Sequence, residues 1–170
     1  MNILSIDTTK TSYSLSVLNG ERILTYVDKS NTASSETILS EISNLVLKSN
    51  IKPNNINSVI YNKGPGSFTG VRVSSAIVQA IGFSNNCPVY GINSLMLDAY
   101  SLFVEKKISK IQVVRKAFGD QVFHGLFTLS EKECLLNSKI LTSNYNVINL
   151  NPEFILLTDL KDIKKEKHLI

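Results

Sequence analysis

A glycine-rich loop between a strand-like run and a helix-like run is the feature that most restricts how this chain folds. The loop, Gly64 to Gly70, follows the apolar run Val59-Ile60-Tyr61 and leads into a pattern typical of a helix, Phe68 to Phe83. Glycine has no side chain and tolerates positive φ, so such a loop brings its backbone close to another surface. The sequence therefore predicts a strand, a tightly packed connection and a helix in succession.

The loop matches none of the common phosphate-binding or catalytic loops. A Walker A loop ends in Gly-Lys-Ser/Thr, whereas the nearby lysine, Lys63, precedes the glycines. The dinucleotide fingerprint needs other glycine spacings, and the nucleophile elbow needs Gly-x-Ser-x-Gly, which Ser67 does not provide. Two interpretations stay open. Either the glycines allow strand and helix to pack closely, or the amides of Ser67, Phe68 and Thr69 bind an anion at a helix N-terminus.

Hydrophobic periodicity predicts an α/β lobe in the first part of the chain. Tyr13, Leu15 and Val17 alternate as in a half-buried strand, and Asn19-Gly20 is a strong hairpin signal. The order of the predicted elements indicates a mixed sheet covered by helices. The predicted strands are Asn2 to Ile6, Ser12 to Leu18, Arg22 to Val27, Ser58 to Asn62 and Val89 to Ile92, and the helices are Ser34 to Ser49, Phe68 to Phe83 and Ser94 to Val104.

The remaining third of the chain has a weaker pattern. Strands are predicted over residues 111–114, 122–128 and 154–158, with little helix between them. With 170 residues the chain fits one domain or two small lobes. We therefore predict a first lobe over residues 1–104 and a reduced second lobe over residues 105–170.

Composition and charge indicate a cytoplasmic protein. No apolar run approaches the length of a membrane-spanning helix, and the start has no basic segment leading into an apolar one. Cys87 and Cys134 form no CxxC pair, as expected for reduced thiols. The net charge of +4 comes from scattered lysines and a tail, Lys161 to His168. Such a tail is typical of a solvated end, and direct RNA binding is not predicted from it.

The string GPGSFTGVRVS, residues 64–74, resembles the signature of the TsaB (YeaZ) family, bacterial partners in making threonylcarbamoyladenosine on tRNA. The opening, Ile3 to Thr9 followed by Ser12 to Val17, resembles the start of the same family. The resemblance covers residues 1–125. It implies an actin-like (ribonuclease-H-like, ASKHA) fold, and its members generally carry a longer second lobe than this chain has.

The resemblance implies a non-catalytic subunit. Such a subunit binds and activates TsaD, which transfers the threonylcarbamoyl group, and helps to recruit the ATPase TsaE. It meets tRNA only through that complex and forms a homodimer when the partner is absent. No cofactor is expected on this chain alone, whereas ATP or ADP is expected at the interface of the complex.

Two helices form the docking surface that the resemblance implies. Within Phe68 to Phe83, small residues four apart indicate either core packing or an interface, and the mixture of polar and apolar side chains favours the interface. In the preceding helix we expect Leu39, Ile42 and Val46 in the core, with Ile38 and Leu45 reaching beyond it. The predicted interface residues are Ile38, Ile42, Leu45, Arg72, Val73, Ser75, Ala76, Gln79, Ala80 and Phe83.

A second candidate site lies at the tip after the first strand. In actin-like ATPases an acidic residue at the position of Asp7 lies near metal and phosphate. The competing interpretation, which we favour, is that Asp7 caps a tight turn, because no second carboxylate is found at a matching position in the other lobe. The candidate anion or nucleotide contacts are Asp7, Thr8, Gly64, Gly66, Ser67 and Thr69.

Catalytic and metal-binding residues are not predicted. His124 and His168 are the two histidines of the chain, too few for a three-ligand catalytic metal site. The alternative to a partner subunit is a stand-alone small actin-like ATPase or phosphotransferase that acts through Asp7 and the glycine loop.

The chain departs from the family pattern in three places. Ser34 stands where relatives often have histidine before Ser-Glu. Lys116-Ala117-Phe118 replaces the usual Asp-Ala-Arg, and Gln121-Val122-Phe123 replaces Glu-Val-Tyr. The resemblance therefore says least about the second lobe, and the two docking helices and the glycine motif are unaffected.

Overall fold

The chain forms two compact units, Met1–Asn93 and Ser94–Ile170. The structure is a computed structural model that describes residues 1–28 and 35–160. Ser34, the predicted start of the first helix, and the basic tail with His168 lie outside these ranges. No helix within the ranges is both long and apolar enough to cross a membrane.

The first unit is a five-stranded mixed sheet with helices. Its strands are β1 (Asn2–Asp7), β2 (Tyr13–Asn19), β3 (Arg22–Asp28), β4 (Ser58–Asn62) and β5 (Val89–Ile92), and its helices are α1 (Ser35–Lys48), α2 (Phe68–Asn85) and a short 3₁₀ turn, Pro53–Asn55. The strand order is β3-β2-β1-β4-β5; β2 is antiparallel to β1 and β3, and β1, β4 and β5 are parallel. The predicted actin-like α/β lobe is confirmed.

Strand β2 shows why these residues form a sheet with one buried face. Tyr13, Leu15 and Val17 are buried, as their alternation predicts. They pack in one core with α1 and α2. Asn19 pairs with Arg22, so the two-residue turn is Gly20-Glu21, one position later than the Asn-Gly signal, with Gly20 at a φ of +61°.

Helix α1 corrects one part of the sequence interpretation. Ile38 and Leu45 are 1% and 6% exposed and lie in the core, so the expectation that they reach beyond it is wrong. Leu39, expected inside, is 46% exposed. The buried stripe is Ile38, Ile42, Leu45 and Val46, which follows the i, i+4, i+7, i+8 spacing of one helix face.

Helix α2 has a clear beginning and end. Ser67 caps its N-terminus, since Oγ accepts a hydrogen bond from the Gly70 amide at 3.2 Å. Asn86 ends it in the left-handed conformation at a φ of 48°. Ser74 and Gly82 are buried, and a methyl group on Gly82 would lie 2.4 Å from Val89 Cγ2. Part of the small-residue pattern therefore serves ordinary packing against the sheet.

Among its described residues, the second unit has one α-helix, a short 3₁₀ turn (Tyr145–Val147) and five strands: α3 (Ser94–Lys106), β6 (Lys110–Lys116), β7 (Gln121–Leu129), β8 (Cys134–Leu136), β9 (Leu141–Asn144) and β10 (Ile155–Thr158). The sheet order is β10-β6-β7-β8, and β9 also pairs with β7. Leu95, Ala99 and Phe103 of α3 pack in one core with Ile111 and Phe127. Helix α3, which the sequence pattern groups with residues 1–104, thus lies in the unit that begins at Ser94.

Candidate functional site

The Asp7 carboxylate is occupied by hydrogen bonds from its own chain. Oδ1 accepts from the Thr9 amide at 2.9 Å and from the Thr9 hydroxyl at 2.7 Å. Oδ2 accepts from Asn62 Nδ2 at 3.0 Å. Asn62 stands at the end of β4, 55 residues further along the chain, and no sequence signal linked it to Asp7. This geometry is an Asx turn tied to the neighbouring strand, and it supports the interpretation of Asp7 as a turn cap.

Several backbone groups of the glycine loop also form hydrogen bonds within the chain. The Ser67 amide donates to the Thr9 carbonyl at 2.8 Å, and the Gly64 amide donates to Asn62 Oδ1 at 3.0 Å. The Thr8 hydroxyl is buried and donates to the Gly70 carbonyl at 2.6 Å. One of the three amides expected to bind an anion, that of Ser67, is therefore already engaged.

Two of the glycines lie too close to the β1–β2 connection for any side chain. A methyl group on Gly70 would lie 1.8 Å from the Thr8 carbonyl oxygen, and one on Gly66 would lie 2.6 Å from Thr9 Cβ. Gly64 has a φ of +86° and a cis peptide bond to Pro65. These contacts favour the packing role of the loop. They also bring the six candidate nucleotide contacts into one region, including the exposed Thr69; nucleotide binding there stays a prediction.

The outer face of α2 is open and nearly uncharged. We define it by its exposed residues, which recur at helical spacing: Arg72, Ala76, Gln79, Ala80 and Phe83. Phe83 is 92% exposed, and Arg72 is the one charged residue among the eighteen of the helix. The Arg72 guanidinium lies 3.8 Å from the ring centre of Phe68, itself 70% exposed.

Two further predicted interface residues of α2, Val73 and Ser75, are half-buried. Ile38, Ile42 and Leu45 of α1 are buried in the core. The structure thus places five of the seven predicted α2 residues on the outer face and the three predicted α1 residues in the core.

A groove of about 330 Å³ lies between α1 and α2, and sequence reasoning missed it. None of the described residues that line it is charged. Its lining residues are Leu39, Ile42, Ser43, Val46, Pro53, Ile56, Ala80, Ile81, Ser84 and Asn85. The signal that could have found it is the i, i+3, i+7 spacing of Leu39, Ile42 and Val46, which marks a second apolar stripe on α1 beside the core stripe.

One polar atom of a groove-lining residue has no partner in the part of the chain that the structure describes. Asn85 Nδ2 donates to the Ile81 carbonyl at 3.1 Å, whereas Asn85 Oδ1 is buried and accepts no hydrogen bond from a described residue. Buried acceptors are normally paired, so this amide is an exception within a well-satisfied unit.

The second unit holds its polar groups in structural contacts. Arg115 forms a bidentate pair with Asp98, with Nε–Oδ2 at 2.7 Å and Nη2–Oδ1 at 2.5 Å. His124 Nε2 lies 2.9 Å from Ser143 Oγ, and burial lowers the pKa of this histidine. Phe118, at the β6–β7 turn, is 92% exposed.

The thiols and the acidic residues show no reactive arrangement. Burial raises the pKa of both Cys87 and Cys134, which disfavours the thiolate. Across residues 1–28 and 35–160, no three His, Cys, Asp or Glu side chains are grouped so that they could hold a metal ion.

Comparison with known proteins places these features in a family. The model of the family described as "TsaD: tRNA N6-adenosine threonylcarbamoyltransferase" matches residues 28–127. The chain is 30% identical to the tRNA threonylcarbamoyladenosine biosynthesis protein TsaB of Buchnera aphidicola subsp. Schizaphis graminum, over 98% of this chain and 83% of that relative. It is 25% identical to Escherichia coli TsaB, over 82% of this chain and 64% of the relative.

A solved structure shares the fold. YeaZ from Pseudomonas aeruginosa superposes with a TM-score of 0.79 at 21% identity, over 88% of this chain and 69% of the YeaZ chain. The family model that matches part of the chain is thus a TsaD model, whereas the relatives matched over nearly its whole length are TsaB proteins. The TsaB relatives decide the assignment, because their similarity extends through both units.

Proposed function

We propose that this chain is a non-catalytic subunit that binds and activates TsaD, because it belongs to the TsaB family of tRNA threonylcarbamoyladenosine biosynthesis proteins. The observation that carries the proposal is the outer face of α2. Five exposed residues at helical spacing include a fully solvent-facing Phe83 and a single charge. Interface centres are depleted in charge and enriched in aromatic residues and arginine, as this face is.

The Asp7 region supports a non-catalytic role. A phosphotransferase needs a carboxylate and amides available to metal and phosphate, whereas Asp7 and the Ser67 amide already bond to Thr9 and Asn62. The chain also lacks a Walker lysine after its glycines. We therefore place ATP or ADP at the interface of the complex, on no site of this chain alone.

The remaining parts of the proposal follow from the family. TsaE joins the pair of this chain and TsaD, tRNA is met through that complex, and the protein works in the cytoplasm. When TsaD is absent, a second copy covers the outer face of α2, since isologous dimers are the commonest oligomers.

The test is a binding assay between purified TsaD and Ala76→Arg. Ala76 is exposed at the centre of the face, so a long cation there clashes or becomes buried without a partner. We expect a loss of affinity of roughly 100-fold, about 2.7 kcal/mol. Gln79→Arg is a second probe one turn along, and Asn146→Arg, exposed in the second unit, is the matched control.

Thermal melts of each variant separate binding from folding. Loss of TsaD binding and of tRNA modification with a normal melting curve supports the docking role. Full activity of both α2 variants, with stable folds, would remove the interface from this helix.

A further inference from the structure

We infer that the outer edge of β3 pairs antiparallel with the same edge of a second copy of this chain, with Thr25 opposite Thr25 of that copy. The two sheets then continue into one another. The inference goes beyond the proposed function, because it concerns a different part of the first unit. Helix α2 packs on β4 and β5, at the other end of the sheet, so a pair joined at β3 leaves the outer face of α2 available for TsaD.

The backbone of β3 presents every second residue to its outer edge. β3 lies at one end of its sheet, beside β2. The Gly20 amide donates to the Met1 carbonyl, so the even-numbered residues of β2 face β1 and the odd-numbered residues face β3. Odd-numbered residues of β2 lie opposite even-numbered residues of β3. The N–H and C=O groups of Ile23, Thr25 and Val27 therefore point away from β2.

Within residues 1–28 and 35–160, nothing pairs with these groups. β2 is the one described strand beside β3, and no other backbone hydrogen bond from a described residue reaches Ile23, Thr25 or Val27. Ile23 and Val27 are 64% and 50% exposed, and Thr25 is exposed too. Edge strands are normally protected by a bulge, a proline or a charge along the strand. The register of β3 has no bulge, and the residues between its two ends carry neither charge nor proline.

The sequence of β3, RILTYVD, is complementary to its own reverse. When Thr25 lies opposite Thr25 of a second copy, Arg22 lies opposite Asp28 at both ends of the ladder. Ile23 then lies opposite Val27. Opposite charges and β-branched side chains at directly opposed positions stabilise antiparallel strands. The charges and the apolar side chains of β3 thus indicate a second copy as its partner.

Other registers pair less of the strand. Both copies present their odd-numbered residues, so the register changes only in steps of two residues. One such step places Arg22 opposite Tyr26, and the other places Leu24 opposite Asp28. In either case a charged residue faces an uncharged one, and two residues of each strand lie outside the ladder. In the register that we assign, Leu24 lies opposite Tyr26, and the core-bearing faces of both sheets stay on one side.

Pairing through β3 ends at two copies. An antiparallel contact between identical edges is isologous, so it closes with a two-fold axis and uses up the edge in both copies. The other edge of the sheet, β5, has four residues and includes Gly91, which makes it a poorer template. A contact one strand long is small, so we expect pairing to be weak and brief, and a covalent trap detects it best.

The experiment is a cysteine crosslink in a chain whose own thiols are removed by Cys87→Ala and Cys134→Ala. Thr25→Cys then places thiols on two residues whose Cα atoms lie about 5.5 Å apart in a hydrogen-bonded antiparallel pair. A disulfide spans Cα separations of roughly 4.4–6.8 Å. The matched control is Thr142→Cys, on an exposed threonine of β9. With copper phenanthroline as oxidant we expect about tenfold more disulfide-linked dimer from Thr25→Cys than from the control.

Two further cysteine variants report the register. Ile23 lies opposite Val27 of the second copy and about 14 Å along the strand from the second Ile23. Ile23→Cys alone and Val27→Cys alone should therefore crosslink no more than Thr142→Cys. A mixture of the two should crosslink as Thr25→Cys does. This mixture also supplies the readout if Thr25→Cys folds poorly.

Charge reversal tests the ends of the ladder. In the Thr25→Cys chain, Arg22→Asp or Asp28→Arg places like charges opposite each other, and we expect about fivefold less crosslinked dimer. The double variant Arg22→Asp/Asp28→Arg restores opposite charges and should restore the yield. A purely local effect of either substitution would not be reversed by the other.

The outcomes decide the inference without involving the proposed function. A folded Thr25→Cys that crosslinks no more than Thr142→Cys overturns the inference, and so do equal yields from the three charge variants. Efficient crosslinking by Ile23→Cys alone also overturns it, because the register is then wrong. If Thr25→Cys gives no dimer but Thr25→Lys weakens TsaD binding, a strand of TsaD occupies the edge and the assignment to a second copy is wrong. Ala76→Arg tests the proposed function separately.

Discussion

The glycine loop and the outer face of α2 follow one another along the chain and have opposite characters. At the loop, polar groups are paired within the chain: Asp7 accepts three hydrogen bonds, and the Thr8 hydroxyl donates to Gly70. A methyl group does not fit at Gly70. On the outer face, by contrast, Phe83 is almost fully exposed, and Asn85, which lines the neighbouring groove, keeps an acceptor without a partner among the described residues.

The difference shows that the most distinctive stretch of a sequence need not form the open surface of the protein. The loop is the most distinctive stretch of the chain, and its residues are needed because backbone passes close to backbone there. Its effect is to place the start of α2. The helix it places has a less distinctive sequence, yet it carries the open surface that we propose for docking.

Gly70→Ala should cause the largest loss of stability. The added methyl group would meet the Thr8 carbonyl oxygen at 1.8 Å, so the β1–β2 connection or α2 must shift. We expect the free energy of unfolding to fall by about 3 kcal/mol, measured by urea denaturation. Thr69 lies one residue earlier and is exposed, so Thr69→Ala should leave the free energy of unfolding nearly unchanged. A Gly70→Ala variant as stable as the parent would show that the loop is loosely packed.

Asp7→Asn should have the next largest effect. Asparagine keeps one oxygen that can accept from the Thr9 amide and hydroxyl, but its amide nitrogen cannot accept from Asn62 Nδ2, so that hydrogen bond is lost and two donors meet in a partly buried cluster. We expect a loss of about 2 kcal/mol in a thermal melt. ATP hydrolysis by the purified parent chain should stay at background. Turnover that disappears in Asp7→Asn would instead favour the phosphotransferase alternative.

Asn85→Leu should have a small effect of the opposite sign. Leucine has a similar size and removes the buried, unpaired Oδ1, at the loss of one bond to the Ile81 carbonyl. The free energy of unfolding should stay the same or rise by up to about 1 kcal/mol. A clear loss of stability would mean that the amide oxygen is satisfied in solution, and the contrast with the loop would weaken.

Phe83→Ser should change stability least and self-association most. The ring is 92% exposed, so its removal should alter the free energy of unfolding by less than about 0.5 kcal/mol. Light scattering should show a dimer for the parent chain without TsaD and a monomer for the variant. A parent chain that is monomeric at high concentration would argue against the self-complementary face.

Much of the fold followed from local pattern. β4 and β5 have the predicted bounds, because Asn62 precedes the glycine loop and Pro88 precedes Val89. β8 and β9, of three and four residues, were missed because so short a segment shows no alternation. In α1, two apolar stripes are possible because apolar residues are adjacent at Ile38-Leu39 and at Leu45-Val46-Leu47. Only the position of the sheet decides which stripe is buried.

The candidate site was less accessible to sequence reasoning. The turn at Asp7 was predicted because its partner Thr9 is two residues away. Asn62 and the groove were not, because they depend on elements that tertiary packing brings together. Leu39, Ile56 and Ser84 come from three separate segments of the chain.

The single arginine of α2 has a consequence for the solubility of the chain when the chain is in excess of TsaD. Arg72 covers the exposed ring of Phe68 and is the one charge that interrupts an otherwise neutral helix surface. Charges at the margin of apolar segments act as gatekeepers against aggregation. We therefore expect the same guanidinium to limit precipitation of the unpaired chain, so that the amount of unpaired protein in solution falls when this charge is removed.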